Sequence, residues 1–129
     1  MEANRAERWT EEEQYLVAQL AYDFAMQGRY GEAEVLLEGL LAAVPQYEYV
    51  RRTLAGLRLH LGKAEAALGL VNAGGAASEL TDMRRLRLES LLQLGRTQEA
   101  LQEYAALRPR LEPGESLRFA LALQVATGN

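Results

Sequence analysis

The sequence predicts an all-α protein, an α-α superhelix of three helix pairs followed by one closing helix. Two observations carry that expectation. The phrase Gly28-Arg29-Tyr30-Gly31-Glu32-Ala33 returns as Gly62-Lys63-Ala64-Glu65-Ala66-Ala67 and again as Gly95-Arg96-Thr97-Gln98-Glu99-Ala100. The steps are 34 and then 33 residues, for the glycines and for the alanines alike, and self-similarity at this period marks a helical repeat array. The composition agrees: Leu and Ala dominate and Ile is absent, which favours helix because β-branched side chains lose rotamer freedom there.

Each residue of the phrase has a physical task. Glycine is the residue type that occupies the left-handed position ending a helix without a steric penalty. The alanine five residues later is small enough for two helices to approach closely. The rest of the chain reads as the helices flanking these turns.

Length and charge bound the rest. At 129 residues, one domain is expected, over 10–129, with repeats at about 14–47, 48–80 and 81–113, a closing helix at 114–127 and an N-terminal extension at 1–9. The chain is 49% hydrophobic and 25% charged, so it should fold rather than stay disordered. No apolar run reaches the roughly 18 residues of a membrane span, and Met1 to Glu13 lacks the apolar core of a signal peptide. A cytoplasmic protein without direct membrane insertion is the expectation. Cysteine is absent, which excludes disulfides and thiolate metal sites. A net charge of −4 disfavours nucleic acid as a partner.

Thr10-Glu11-Glu12-Glu13 is a capping-box pattern whose carboxylates suit the positive end of a helix dipole. A first helix should run from Glu11 to Gln27, its apolar positions Leu16, Val17, Leu20, Ala21 and Phe24 at helical spacing. A second, Tyr30 to Ala43, carries the stripe Ala33, Leu36, Leu37, Leu40, Leu41 and Val44 before Pro45. A third takes Gln46 to Leu61. The fourth, Lys63 to Asn72, is short and ends in a predicted loop, Asn72-Ala73-Gly74-Gly75. Ser78 and Thr81 compete to cap the fifth helix, which runs to Leu94. The sixth covers Thr97 to Arg108, and the last Glu115 to Thr127, covering the apolar face of the third pair.

On these residues the chain resembles the tetratricopeptide family. Its pattern is W-x2-L-G-x2-Y, then A-x3-F, then P, in 34 residues. The first repeat offers Val17-x2-Leu20-Ala21-x2-Phe24, Ala33-x3-Leu37 and Pro45. The second keeps Leu54-Ala55, Gly62 and Ala67-x3-Val71, with Arg51 and Arg58 at the bulky positions. The third keeps Gly95 and Ala100-x3-Tyr104, while Arg84, Arg87 and Leu88 leave the phase of its first helix open. A narrower likeness is to small tetratricopeptide chaperones of bacterial type III secretion, of the export-apparatus kind. It rests on the stripe Leu36-Leu37-Glu38-Gly39-Leu40-Leu41, on Val44-Pro45, and on Val50-Arg51-Arg52 where that group carries paired arginines.

The family resemblance implies that the first helix of each pair lines a concave groove. It places Tyr15, Ala18, Tyr22, Ala25 and Met26 there, then Tyr49, Arg52, Gly56, Leu59 and His60. Asp82, Arg85, Glu89, Leu92 and Gln93 follow, then Glu115, Arg118, Ala122 and Val125. The residues expected to bind a partner are Tyr15, Tyr22, Met26, Tyr49, Arg52, Leu59, Arg85, Leu92 and Arg118. Tyrosine brings a rigid ring with a polar tip, and methionine adapts to varied side chains. The alternative is that Tyr22 and Met26 face a neighbouring helix. Arg52, Arg85 and Arg118 repeat at 33-residue steps and would form a ladder able to read carboxylates, unless they pair internally with Glu48, Glu89 and Glu115. The variety that clamps heat-shock C-termini has Asn where Tyr22 stands, which disfavours that partner.

No chemistry of an enzyme is legible. His60 is the single histidine, so neither a zinc site nor a catalytic triad can be assembled around it. The glycines end helices and are not followed by Lys-Ser or Lys-Thr, so they form no phosphate loop. No cofactor and no metal are expected. Two functions remain. One is a dedicated chaperone holding a small secreted or export-apparatus protein in the groove, in a bacterial cytoplasm. The other is a scaffold or adaptor, heterodimeric or self-associating, which exposure of Trp9, Val35 and Val44 would favour.

Overall fold

Three turns of one shape set the architecture. Gly28, Gly62 and Gly95 have φ of 78°, 78° and 72°. After each, the next N–H reaches back five residues: Arg29 to the Phe24 carbonyl at 2.8 Å, Lys63 to Arg58 at 2.7 Å, Arg96 to Leu91 at 3.0 Å. This bond belongs to the Schellman motif, which satisfies carbonyls orphaned at a helix end. The recurring Gly-Arg and Gly-Lys dipeptides are therefore helix stops that also start the next helix.

The computed structural model describes residues 9–128; the expected N-terminal extension lies outside the described residues apart from Trp9. Seven α-helices follow in order: α1 Glu11–Met26, α2 Tyr30–Ala43, α3 Glu48–His60, α4 Ala64–Asn72, α5 Thr81–Gln93, α6 Thr97–Leu107 and α7 Pro113–Thr127. Short 3-10 turns at Gly75–Glu79 and Arg108–Arg110 join α4 to α5 and α6 to α7. The capping box forms at α1: the Glu13 N–H donates to Thr10 Oγ1 at 3.0 Å, and the Thr10 N–H to Glu13 Oε1 at 2.9 Å.

Each helix packs on the next, and the odd helices also pack on one another, α3 on α5 and α5 on α7. The even helices do not meet to that extent. The odd helices thus form an inner layer and the even ones an outer layer, the arrangement of an α-α superhelix. Ala33, Ala67 and Ala100 are all fully buried, which lets the paired helices approach. The core runs along the array, from Leu37, Leu40, Val50 and Leu54 to Leu88, Leu107, Phe119 and Leu123.

Several expectations are corrected. Asn72 to Gly75 is not an open loop: a turn at Gly74 leads into the 3-10 segment, with Gly75 at φ 60°. Neither Ser78 nor Thr81 caps α5. Leu80 holds that position without a side-chain bond, and the buried Ser78 hydroxyl donates to the Gly75 carbonyl at 2.7 Å. The last helix begins at Pro113, a good first residue because its missing N–H would be unpaired anyway. The apolar residues of α1 divide between two faces: Ala18 and Ala21 are buried, while Leu16 and Leu20 are exposed. The closing helix buries Phe119 and Leu123 and exposes Leu117, Leu121 and Val125.

The arginines at bulky pattern positions keep the helix phase by ion pairing. Arg58 bridges to Glu34 at 3.2 Å and to Glu38 on α2, and Lys63 meets Glu34 at 2.8 Å. Arg51 donates to the Pro45 carbonyl at 2.6 Å. Arg84 and Arg87 both reach Glu103 on α6. With these guanidiniums in place, Leu88 sits fully buried at the small-residue position of its repeat, and α5 keeps the register of α1 and α3.

Candidate protein-binding groove

The inner face of α1 and the start of α3 form an aromatic patch. Tyr15, Tyr22 and Met26 lie seven and four residues apart, one stripe on a helix, and all three are exposed. Tyr22 is 46% and Met26 71% exposed, so neither is buried against a neighbouring helix. Tyr49 is exposed and Tyr47 half-buried, their ring centroids 6.3 Å apart at 41°. Tyr15, Ala18, Gln19, Tyr47 and Tyr49 line a cleft of about 350 Å³. Arg52 lies over the Tyr49 ring, 5.8 Å from its centroid, within cation–π range.

Tyr47 was missed in the sequence. It stands at the N-cap position of α3, with extended backbone, where a helical wheel assigns no face. The signal that could have found it is its place two residues after Pro45, which ends one helix and aims the next.

The other half of the groove is a chain of alternating charges. Arg52 meets Asp82 at 3.3 Å, Asp82 meets Arg85 at 2.6 Å, and Arg85 meets Glu115 at 2.9 Å. The expected ladder of three arginines is thereby interrupted. The pairing is internal but not with the expected partners: Arg85 takes Glu115 and Asp82, Arg52 takes Asp82, and Glu48 lies against Arg51. Arg118 is exposed and lies over the Phe119 ring at 4.9 Å. Between these groups, burial raises the Glu89 carboxyl above the usual carboxylate range, against the pull of Arg118 and Arg85.

Leu59 is not a contact residue. It is 6% exposed and sits in the core with Ala55, Ala67 and Met83, because its side chain turns into the α3–α4 interface. Leu92 is half-buried and packs on the core around Leu88 and Leu91, so it presents only an edge. His60 is exposed and its ring lies against Tyr30, 4.7 Å between centroids, on the side of α2. Of the three residues tied to self-association, Val35 is exposed, Trp9 half-buried and Val44 buried.

Among the described residues no group of three His, Asp or Glu is placed to hold a metal ion, and no helix is long and apolar enough to cross a membrane. Searches of curated proteins and of solved structures found no match. The profile of the tetratricopeptide repeat matches residues 24–88, just over half of the 129, from the end of α1 through most of α5. Domains of this family generally mediate protein–protein interaction. The left-handed glycine turns, the buried alanines, the two-layer packing and that match together establish that the chain belongs to the tetratricopeptide repeat family.

Proposed function

We propose that this chain is a non-enzymatic binding module that holds a segment of another protein along its inner face, as a dedicated chaperone. The observation that carries the reading is the exposure of Tyr15, Tyr22, Met26 and Tyr49 together on that face. Rigid aromatic side chains with polar tips are the residue types that anchor partner segments. The cleft between α1 and α3 suits one apolar side chain of such a segment, and the ion-pair chain from Arg52 to Glu115 suits a polar stretch beyond it.

The stripe Leu36-Leu37-Glu38-Gly39-Leu40-Leu41, followed by Val44-Pro45 and Val50-Arg51-Arg52, supports a narrower reading. On it the partner is a small secreted or export-apparatus protein of a bacterial type III secretion system, held in the cytoplasm until release. Tagged chain purified from its native cells should bring down one small protein at equal stoichiometry, and Tyr15→Ala with Tyr49→Ala should lose it. A secreted partner would support the type III reading. Unchanged capture by Tyr22→Ala combined with Arg52→Glu would sink the groove.

A second reading, a scaffold or self-associating adaptor, is favoured by exposed Val35 and by the apolar outer faces of α1 and α7. Recovery of many weak partners would move the assignment there.

A further inference from the structure

The polar residues along the inner side of α5 are Asp82, Arg85, Glu89 and Gln93, at helical spacing. Three of them are engaged by neighbouring helices. Asp82 meets Arg52, Arg85 meets Glu115, and the Gln93 side chain donates to the Leu59 carbonyl at 3.1 Å. Glu89 is the exception. It is half-buried, yet among the described residues it has neither a hydrogen bond nor an ion pair. The two guanidiniums that attract it are engaged elsewhere, Arg85 with Asp82 and Glu115, Arg118 over the Phe119 ring.

We propose that Glu89 sets the charge specificity of the groove by taking a basic side chain of the bound segment, a lysine or arginine whose stem crosses Gly56 and Leu86. This rests on the groove reading above. A carboxylate partly withdrawn from water and left without a donor is unfavourable, and an ammonium or guanidinium restores what burial removes. Burial outweighs the pull of both arginines on Glu89, so the charges inside the chain do not make up for the lost water. Asp82 and Glu115 already hold arginines, which leaves Glu89 as the groove carboxylate open to another cation. The chain carries a net charge of −4, which favours a cation over an anion as the arriving group.

The floor beside Glu89 has room for such a stem. Tyr22, Gly56 and Glu89 stand 34 and 33 residues apart, the same station on α1, α3 and α5. Gly56 lies inside α3, where alanine would make the better helix. Nothing in the fold requires glycine there: a Cβ would meet only Leu86 Cδ2, at 4.0 Å. Its effect is to leave the inner side of α3 bare at the station between Tyr22 and Glu89. The methylenes of a long basic side chain can lie on such a surface while the charged tip reaches a polar partner. Gly56 and Glu89 are each unfavourable for the fold alone, and local conflicts of this kind mark functional positions.

Selection of random short peptides, displayed on phage, against the immobilised chain tests this. Recovered peptides should share a lysine or arginine at a fixed distance from an apolar residue. In a synthetic copy, replacing that residue by norleucine keeps an aliphatic stem and removes the charge, and should weaken binding to the wild type about tenfold or more. Glu89→Gln should bind both copies alike, and Glu89→Lys should select an acidic residue at the same place. Gly56→Leu, which lays a side chain across the floor, should weaken both copies. Circular dichroism spectra should match that of the wild type throughout. Peptides that lose affinity on Tyr15→Ala with Tyr49→Ala but show no basic preference, or keep that preference in Glu89→Gln, overturn this inference and leave the groove standing. Peptides indifferent to Tyr15→Ala with Tyr49→Ala, or a selection that enriches none, overturn the groove and the inference together. An acidic preference in the wild type that Arg118→Gln removes overturns the inference in favour of a carboxylate on the partner.

Discussion

Arg84 Nε lies 2.7 Å from Glu103 Oε2 across the α5–α6 interface, at a position where the family pattern places a bulky aromatic. Arg87 reaches the same carboxylate at 3.5 Å, and also the Asn72 side chain at 3.0 Å and the Ser78 carbonyl at 3.2 Å. One buried glutamate thus holds two guanidiniums that tie α5 to α6, to the end of α4 and to the 3-10 turn. Removing it takes from both their shared carboxylate, leaving Arg84 with Glu79 at 3.7 Å and Arg87 with two neutral acceptors. Glu103→Leu should cost about 3–5 kcal/mol, the range for breaking a buried pair. Replacing all three by leucine should recover most of that loss, since a well-packed apolar set often matches a buried ion network. Urea midpoints with unchanged m-values would measure both.

The glycines separate by backbone conformation. Gly62→Ala should destabilise by about 1–2 kcal/mol, because its left-handed φ of 78° brings a Cβ against the carbonyl. Gly39 and Gly69 lie inside helices and face open space. Alanine there should stabilise by about 0.5–1 kcal/mol each. Thermal denaturation of the three single variants would show the opposite signs.

Leu59 and Tyr49 sit on the same helix and should behave oppositely. Leu59→Ala opens a cavity in the α3–α4 core and should cost about 2–5 kcal/mol of stability. It should leave the affinity of the folded protein for its partner unchanged. Tyr49→Ala should leave the denaturation midpoint nearly unmoved and weaken partner binding about tenfold or more, read by titration calorimetry.

Two of the perturbed carboxyls, Glu34 and Glu89, should give pH profiles of opposite sign. The hydrogen bond from Lys63, then that from Arg58, holds Glu34 below the usual carboxylate range. Its contribution is full above the unfolded value near about 4.3 and is lost as pH falls through the lower folded value. Glu34→Gln should therefore be less stable than wild type at neutral pH and converge with it in acid. Glu89 is raised by burial, so its ionised form is penalised in the folded state. Glu89→Gln should be more stable than wild type at neutral pH, an advantage that vanishes as pH falls through the raised value toward about 4.3. Chemical denaturation across acidic to neutral pH checks both.

Much of the array was legible because its determinants are local. Each glycine must be glycine for its own φ, and each alanine is set by its distance from the glycine, so a single sequence shows the period and the helix pairs, whereas the placing of Tyr15, Tyr22 and Met26 came with the family resemblance. Leu59 was misplaced because a wheel cannot tell the groove flank of a helix from the flank its partner covers. Tyr47 was missed because it precedes its helix. Arg52, Arg85 and Arg118 do recur on one face, yet their neighbours across helices, Asp82 and Glu115, decide which of them are free.

What the order of residues alone determines here is therefore the all-α class, the repeat period and the glycine turns, since these follow from backbone conformation and local spacing. Tertiary structure decided that Arg58, Arg84 and Arg87 are half-buried in ion pairs between helices, that Ser78 is buried in a 3-10 turn, and that α1 and α7 expose leucines. The arginine pairs join residues 16 to 24 positions apart, and the free energy of a charge taken from water or of an uncovered leucine depends on the neighbour that does or does not arrive there.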